Sequence, residues 1–101
     1  MLKLPASVRL PELPLVWGEL EGALRAEAAQ VNAAAGNTLR LNAVDLHEFD
    51  SGVLTLLLSA VRLSEQLGLQ LQIHEVPAKL QELARVYGVD AALWPELAPQ
   101  L

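Results

Sequence analysis

Apolar residues along this chain recur with two spacings, one close to 3.6 and one of 2, which are the signatures of helix and strand. From Pro14 onward, Val16, Leu20, Ala23, Leu24, Ala28 and Val31 fall on one side of a helix, while Glu19, Glu21 and Arg25 fall outside that stripe. The pattern predicts a first helix that frays after Gln30. It carries imperfections: Glu27 lies inside the stripe, and Gly18 and Gly22 each cost up to about 1 kcal/mol relative to alanine. Gly36-Asn37 is turn chemistry, since both residue types tolerate positive φ. From Thr38 to Val44 polar and apolar residues alternate, predicting a strand with Leu39, Leu41 and Ala43 on one face. A mainly polar loop from Asp45 to Asp50 follows.

Between Ser51 and Leu67, Val53, Leu54, Leu56, Leu57, Leu58, Ala60, Val61 and Leu63 cover far more than one stripe, so this helix is expected to be largely buried. Asp50 and Ser51 are both good N-caps, and Gly68 is the usual residue just past a helix end. Leu69, Leu71 and Ile73 then alternate with Gln70, Gln72 and His74, giving a second strand with one apolar face. Pro77 opens a helix with Leu80, Leu83, Ala84 and Tyr87 directed inward and Gly88 as its stop; Asp90 caps a last short helix ended by Pro95. Residues 1–13, cut by Pro5 and Pro11, read as one or two brief extended segments at a sheet edge, where proline is tolerated.

Strand, helix, strand, helix implies parallel strands joined by a crossover. The fold class is therefore α/β, a small domain with a mixed sheet of few strands packed with helices. The 101 residues suit one domain, 1–101, and 52% apolar against 19% charged residues is a composition that can offset the entropy of ordering. Seven Lys and Arg against twelve Asp and Glu give a net charge of −5, the wrong sign for neutralising phosphates. Nucleic acid and direct insertion into a membrane are excluded as expectations. The longest dense apolar run, Val53 to Val61, is less than half of the roughly 20 residues a bilayer span needs, and prolines interrupt the first fifteen residues where a secretory signal would lie. With no cysteine, thiolate nucleophiles and Cys-type zinc sites are absent, and a cytoplasmic setting is expected.

Hydrolytic or transfer chemistry needs a nucleophile with a base in reach, and the imidazoles available are His47 and His74. His74 reads as an ordinary histidine on the polar side of its strand. Asp45, His47, Glu48 and Asp50 crowd one loop, yet their spacing fits no metal-ligand motif, and acidic loops are usually just solvated. No glycine-rich phosphate loop is present, and Trp17, Phe49, Tyr87 and Trp94 are too scattered for a base-stacking platform. Neither catalysis nor a cofactor is indicated. The remaining feature is the helix start Phe49-Asp50-Ser51-Gly52, which sets a hydroxyl beside unpaired amides at the positive end of a helix dipole. Capping and recognition of a partner's acceptor group are both open to it.

Those residues carry a family resemblance. Phe49-Asp50-Ser51-Gly52-Val53-Leu54, between a strand and a long helix, resembles the Asp-Ser/Thr-x-Gly-Leu segment of STAS domains, the α/β modules of anti-sigma factor antagonists and related regulators. Leu83-Ala84-Arg85-Val86-Tyr87-Gly88-Val89, with Leu93 and Pro95, is similar to the C-terminal part of the MlaB branch, the STAS subunits of Mla phospholipid-transport ABC complexes that maintain outer-membrane lipid asymmetry. The resemblance covers residues 38–97. It implies a non-enzymatic protein, held at the inner face of the inner membrane by an MlaF-like ABC ATPase subunit, and through it by the permease. Carried over by position, Asp50 matches the motif's Asp and Ser51 its Ser or Thr. Gly52 stands where phosphorylated antagonists have the acceptor serine, and Val53 where the family has glycine. The resemblance thus implies a partner-binding set of Asp50, Ser51, Gly52 and Thr55 with His47 and Glu48 from the preceding loop. The alternative is an anti-sigma factor antagonist in a partner-switching pathway, with Ser51 as a displaced phosphoacceptor. A small enzyme built on His47, Glu48 and Asp50 is the remote third reading.

Overall fold

The strand predicted around Leu39 and Leu41 forms the middle of the molecule. The structure, a computed structural model, describes residues 2–94. In chain order it contains strands β1 (Leu2–Lys3) and β2 (Ser7–Val8), a 3-10 turn (Leu10–Glu12), helix α1 (Leu13–Ala33), and strands β3 (Thr38–Asn42) and β4 (Glu48–Phe49). Helix α2 (Gly52–Gln66), strand β5 (Gln70–His74) and helices α3 (Ala78–Val86) and α4 (Asp90–Leu93) complete it. β3 lies between β1 and β5, with Leu41 opposite Leu2 on one side and Ile73 on the other, and β2 pairs separately with β4. All these pairs are parallel, so the sheet expected to be mixed is uniform in direction. The reason is topological: α1 lies between β1 and β3, and α2 between β3 and β5, and each carries the chain back before the next strand starts.

The alternation seen in the sequence becomes a buried face. Leu39, Leu41 and Ala43 have no exposed surface, and Leu69 and Ile73 of the second strand region join them in the core. α2 contributes Val53, Leu54, Leu56, Leu57, Ala60 and Leu63, which is why its apolar residues cover more than one narrow stripe. It packs against both α1 and β5. α1 instead buries the narrow stripe Leu20, Leu24 and Ala28, and continues through Ala33, past the expected fraying point.

Four expectations need correction. First, the Asp45–Asp50 loop contains β4; its two residues are too short to show alternation and are defined by β2, forty residues earlier in sequence. Second, Tyr87 is 59% exposed because α3 is anchored through Leu80 and Ala84, and Tyr87 sits beyond the last helical residue as its C-cap. Third, Asp90 is the first residue of α4 rather than its cap, which is Val89; the carboxylate still suits the positive end of the helix. Fourth, positive φ after α1 falls on Ala35 (φ 59), not on Gly36 or Asn37. Gly36 is needed for proximity instead: a Cβ there would lie 3.0 Å from the Val31 side chain and 3.3 Å from its carbonyl oxygen. Ala35 is an alanine in the left-handed region that glycine occupies without a steric penalty. Ala35→Gly is accordingly expected to raise stability by about 0.5–1 kcal/mol in urea unfolding, and an unchanged or lower midpoint would refute the assignment.

Candidate partner-binding site

α2 begins at the C-terminal edge of the parallel strands, the side on which open α/β sheets place their sites. Its approach is fixed by the N-terminal segment. His47 N and Glu48 N both donate to the Ala6 carbonyl at 3.0 Å, and Asp50 N reaches the Val8 carbonyl at 3.4 Å. Arg9 makes an exposed ion pair with Glu48 at 3.0 Å.

Asp50 is the joint of this arrangement. Its Oδ1 accepts from Gly52 N at 2.8 Å, and both carboxylate oxygens lie 3.1 Å from Leu10 N. One side chain thereby satisfies an amide of the first turn of α2 and ties that turn to a backbone forty residues away. Asp50 and Ser51 are both suitable caps by residue type, but the Ser51 side chain makes no capping bond, and its backbone is already helical at φ −61, ψ −16. The half-buried Ser51 hydroxyl is left free of hydrogen bonds within the described residues. Asp50→Ala is expected to lower stability by about 1–2 kcal/mol in urea unfolding, whereas Ser51→Ala should stay within about 0.5 kcal/mol of the parent. The reverse order would make Ser51 the cap.

Gly52 is buried and closely surrounded. A Cβ there would sit 2.9 Å from Asp50 Oδ1, 3.0 Å from Leu10 N and 3.2 Å from Leu10 Cα. The position that holds the acceptor serine in phosphorylated antagonists thus has no space for a side chain. Val53, which replaces the family's glycine, is accommodated as a fully buried helical residue.

Thr55 is exposed and lies one turn after Ser51, on the same side of α2. With Leu56 and Ser59 it faces Leu13, Pro14 and Trp17 of α1 across a groove of about 260 Å³. Sequence reasoning missed the α1 side of this groove. The large apolar residues Leu10 and Leu15, 55% and 71% exposed, lie in the same N-terminal region, and exposed apolar surface of this kind marks interaction sites when it is contiguous. Their signal in the sequence was a run of leucines among prolines, which reads equally well as an edge strand.

The other loop residues do not converge on a reaction centre. His47 is exposed, with Nδ1 2.8 Å from the Asp45 carbonyl oxygen, and Glu48 is held by Arg9. Among the described residues no group of three His, Asp or Glu side chains is placed to hold a metal ion. His74 is half-buried at the end of the edge strand β5, as an ordinary histidine there would be.

The motif, its strand-to-helix setting and the order of elements agree with one family comparison, in which a model described as Mlab, STAS domain, matches residues 16–97. The chain belongs to this STAS family. No curated protein and no solved structure is found to match it. STAS domains are generally binding modules without enzymatic activity. The STAS match begins inside α1 and therefore takes in the motif helix and both longer strands, and, of the α1 residues beside the groove, Trp17 but not Leu13 or Pro14. The Asp-Ser motif of the STAS domain has its roles divided here: the Asp builds the loop, and the Ser presents a hydroxyl.

Proposed function

We propose that this protein is the STAS subunit of an Mla-type phospholipid ABC transporter, and that it binds and supports the MlaF-like ATPase subunit through the N-terminal end of α2. The observation that carries this reading is the free Ser51 hydroxyl, set at a helix start whose Asp50 is wholly engaged with internal amides. A rigid first turn with one uncommitted hydroxyl, flanked by exposed Thr55 and the α1 groove, suits protein recognition better than chemistry. The family model that matches carries the description Mlab, which is in keeping with this reading. Gly52 argues in the same direction, since it offers no hydroxyl and no space for one at the phosphoacceptor position.

In this role the protein is cytoplasmic and reaches the inner face of the inner membrane through the ATPase and permease. No helix among the described residues is long and apolar enough to cross a membrane. Affinity capture from the native cell's membrane extract tests the reading. The wild-type chain should retain an ABC ATPase together with its permease. Recovery of a kinase-like anti-sigma factor, with an added phosphate in the intact mass of the bait, would place the protein in partner switching.

A further inference from the structure

The two edges of the three-stranded sheet are built differently. β1 has only two residues, includes Lys3, and is soon followed by Pro5; shortness, lysine and proline are the usual guards against pairing with another chain. β5 at the other edge has five residues in regular register with β3 and no such guard. From Gln66 to His74 there is no Lys, Arg, Asp, Glu or Pro.

The hydrogen-bond directions show which groups of β5 are left over. Gln70 N donates to the Asn37 carbonyl and the His74 carbonyl accepts from Ala43 N, so the main-chain groups of residues 70, 72 and 74 point toward β3. In a parallel strand the intervening residues then direct both N–H and C=O to the opposite side. These are Leu71 and Ile73, and among the described residues nothing on that side pairs with them. A trough of about 930 Å³ runs along the strand there, bounded by Val61, Glu65 and Leu93.

We propose that β5 is the interface of a symmetric homodimer, in which two copies pair antiparallel about a twofold axis at Gln72. The occupant follows from self-complementarity. In this register Leu71 of each copy opposes Ile73 of the other, and each such pair exchanges two main-chain hydrogen bonds. Gln72 faces Gln72, Gln70 faces His74, and Leu69 faces Glu75, so no like charges are opposed. A shift of the register by one residue would turn the outward main-chain groups out of alignment. The net charge of −5 on each copy opposes association, so the dimer tightens as salt screens that repulsion.

Gln72 provides a test that separates loss of pairing from loss of folding. Sedimentation equilibrium of the full chain, from micromolar to millimolar concentration, should show a monomer–dimer equilibrium that high salt strengthens. Gln72→Lys and Gln72→Glu, each placing like charges on the axis, should each weaken it roughly tenfold. An equimolar mixture of the two variants should restore dimers, because opposite charges then meet. Amide exchange at Leu71 and Ile73 should be fast in the monomer and slow in the dimer. A chain that remains monomeric at millimolar concentration would overturn the proposal. So would dimers unaffected by either Gln72 variant, a mixture that fails to recover, or slow exchange of these two amides in the monomer.

Discussion

Gly52→Val is expected to cost about 3 kcal/mol, at the upper end of what an added side chain costs in a filled site, and to shift the urea midpoint accordingly. The magnitude follows from what surrounds the position. Two of the three nearest atoms, at 3.0 and 3.2 Å from a Cβ, belong to the Leu10 backbone and cannot rotate away. The third, Asp50 Oδ1 at 2.9 Å, is held in place by the Gly52 and Leu10 amides themselves. Relief therefore requires the N-terminal segment to separate from the start of α2, which breaks the Asp50 hydrogen bonds as well. A loss smaller than about 1 kcal/mol would mean that the Leu10 segment yields easily and that the helix start is less rigid than the structure shows. Gly52→Ser should lie between the two, and it would be a poor mimic of an antagonist's acceptor site.

Ser51→Arg is expected to weaken binding of the ATPase subunit proposed as partner by at least about tenfold, or about 1.4 kcal/mol, while leaving the fold largely intact. Ser51 is half-buried at the first turn and its hydroxyl has no internal partner, so the substitution removes nothing from the folded chain. Arginine adds a long side chain and a positive charge at the positive end of the helix, which costs about 0.3–1 kcal/mol in stability. In a complex that covers this surface the same charge would be buried without a partner, a far larger penalty. Thermal unfolding separates the effects: a melting temperature close to that of the parent with lost binding points to the surface, whereas a large drop in melting temperature points to the fold.

The long elements were legible because their information is local. Leu39, Leu41 and Ala43 alternate with polar residues. α2 carries a broad apolar face with Gly68 after it, and Gly68 and Gly88 do adopt positive φ at the helix ends. What was not legible depends on partners distant in sequence. β1, β2 and β4 have two residues each, and β4 exists because Ser7 and Val8 lie beside it. The Asp50 bond to Leu10 N cannot be inferred from either residue alone, and neither can the division of labour between Asp50 and Ser51, since both are favoured caps. Tyr87 matched the inward side of its helix by period and projects because the packing beneath α3 ends one turn earlier. Of the candidate site, Asp50, Ser51, Gly52 and Thr55 share one helix start; His47 and Glu48 lead into it but are turned to Asp45 and Arg9. The α1 wall formed by Leu13, Pro14 and Trp17 came only from tertiary packing.

The proposed docking of this helix start on an ABC ATPase is open to calorimetric titration of the purified chain into the purified MlaF-like subunit, with wild type and Ser51→Arg in parallel. Such docking requires saturable binding by the wild type and a loss of at least about tenfold in affinity for the variant, with both proteins folded. Equal affinity for the two, or no binding by the wild type, would contradict it.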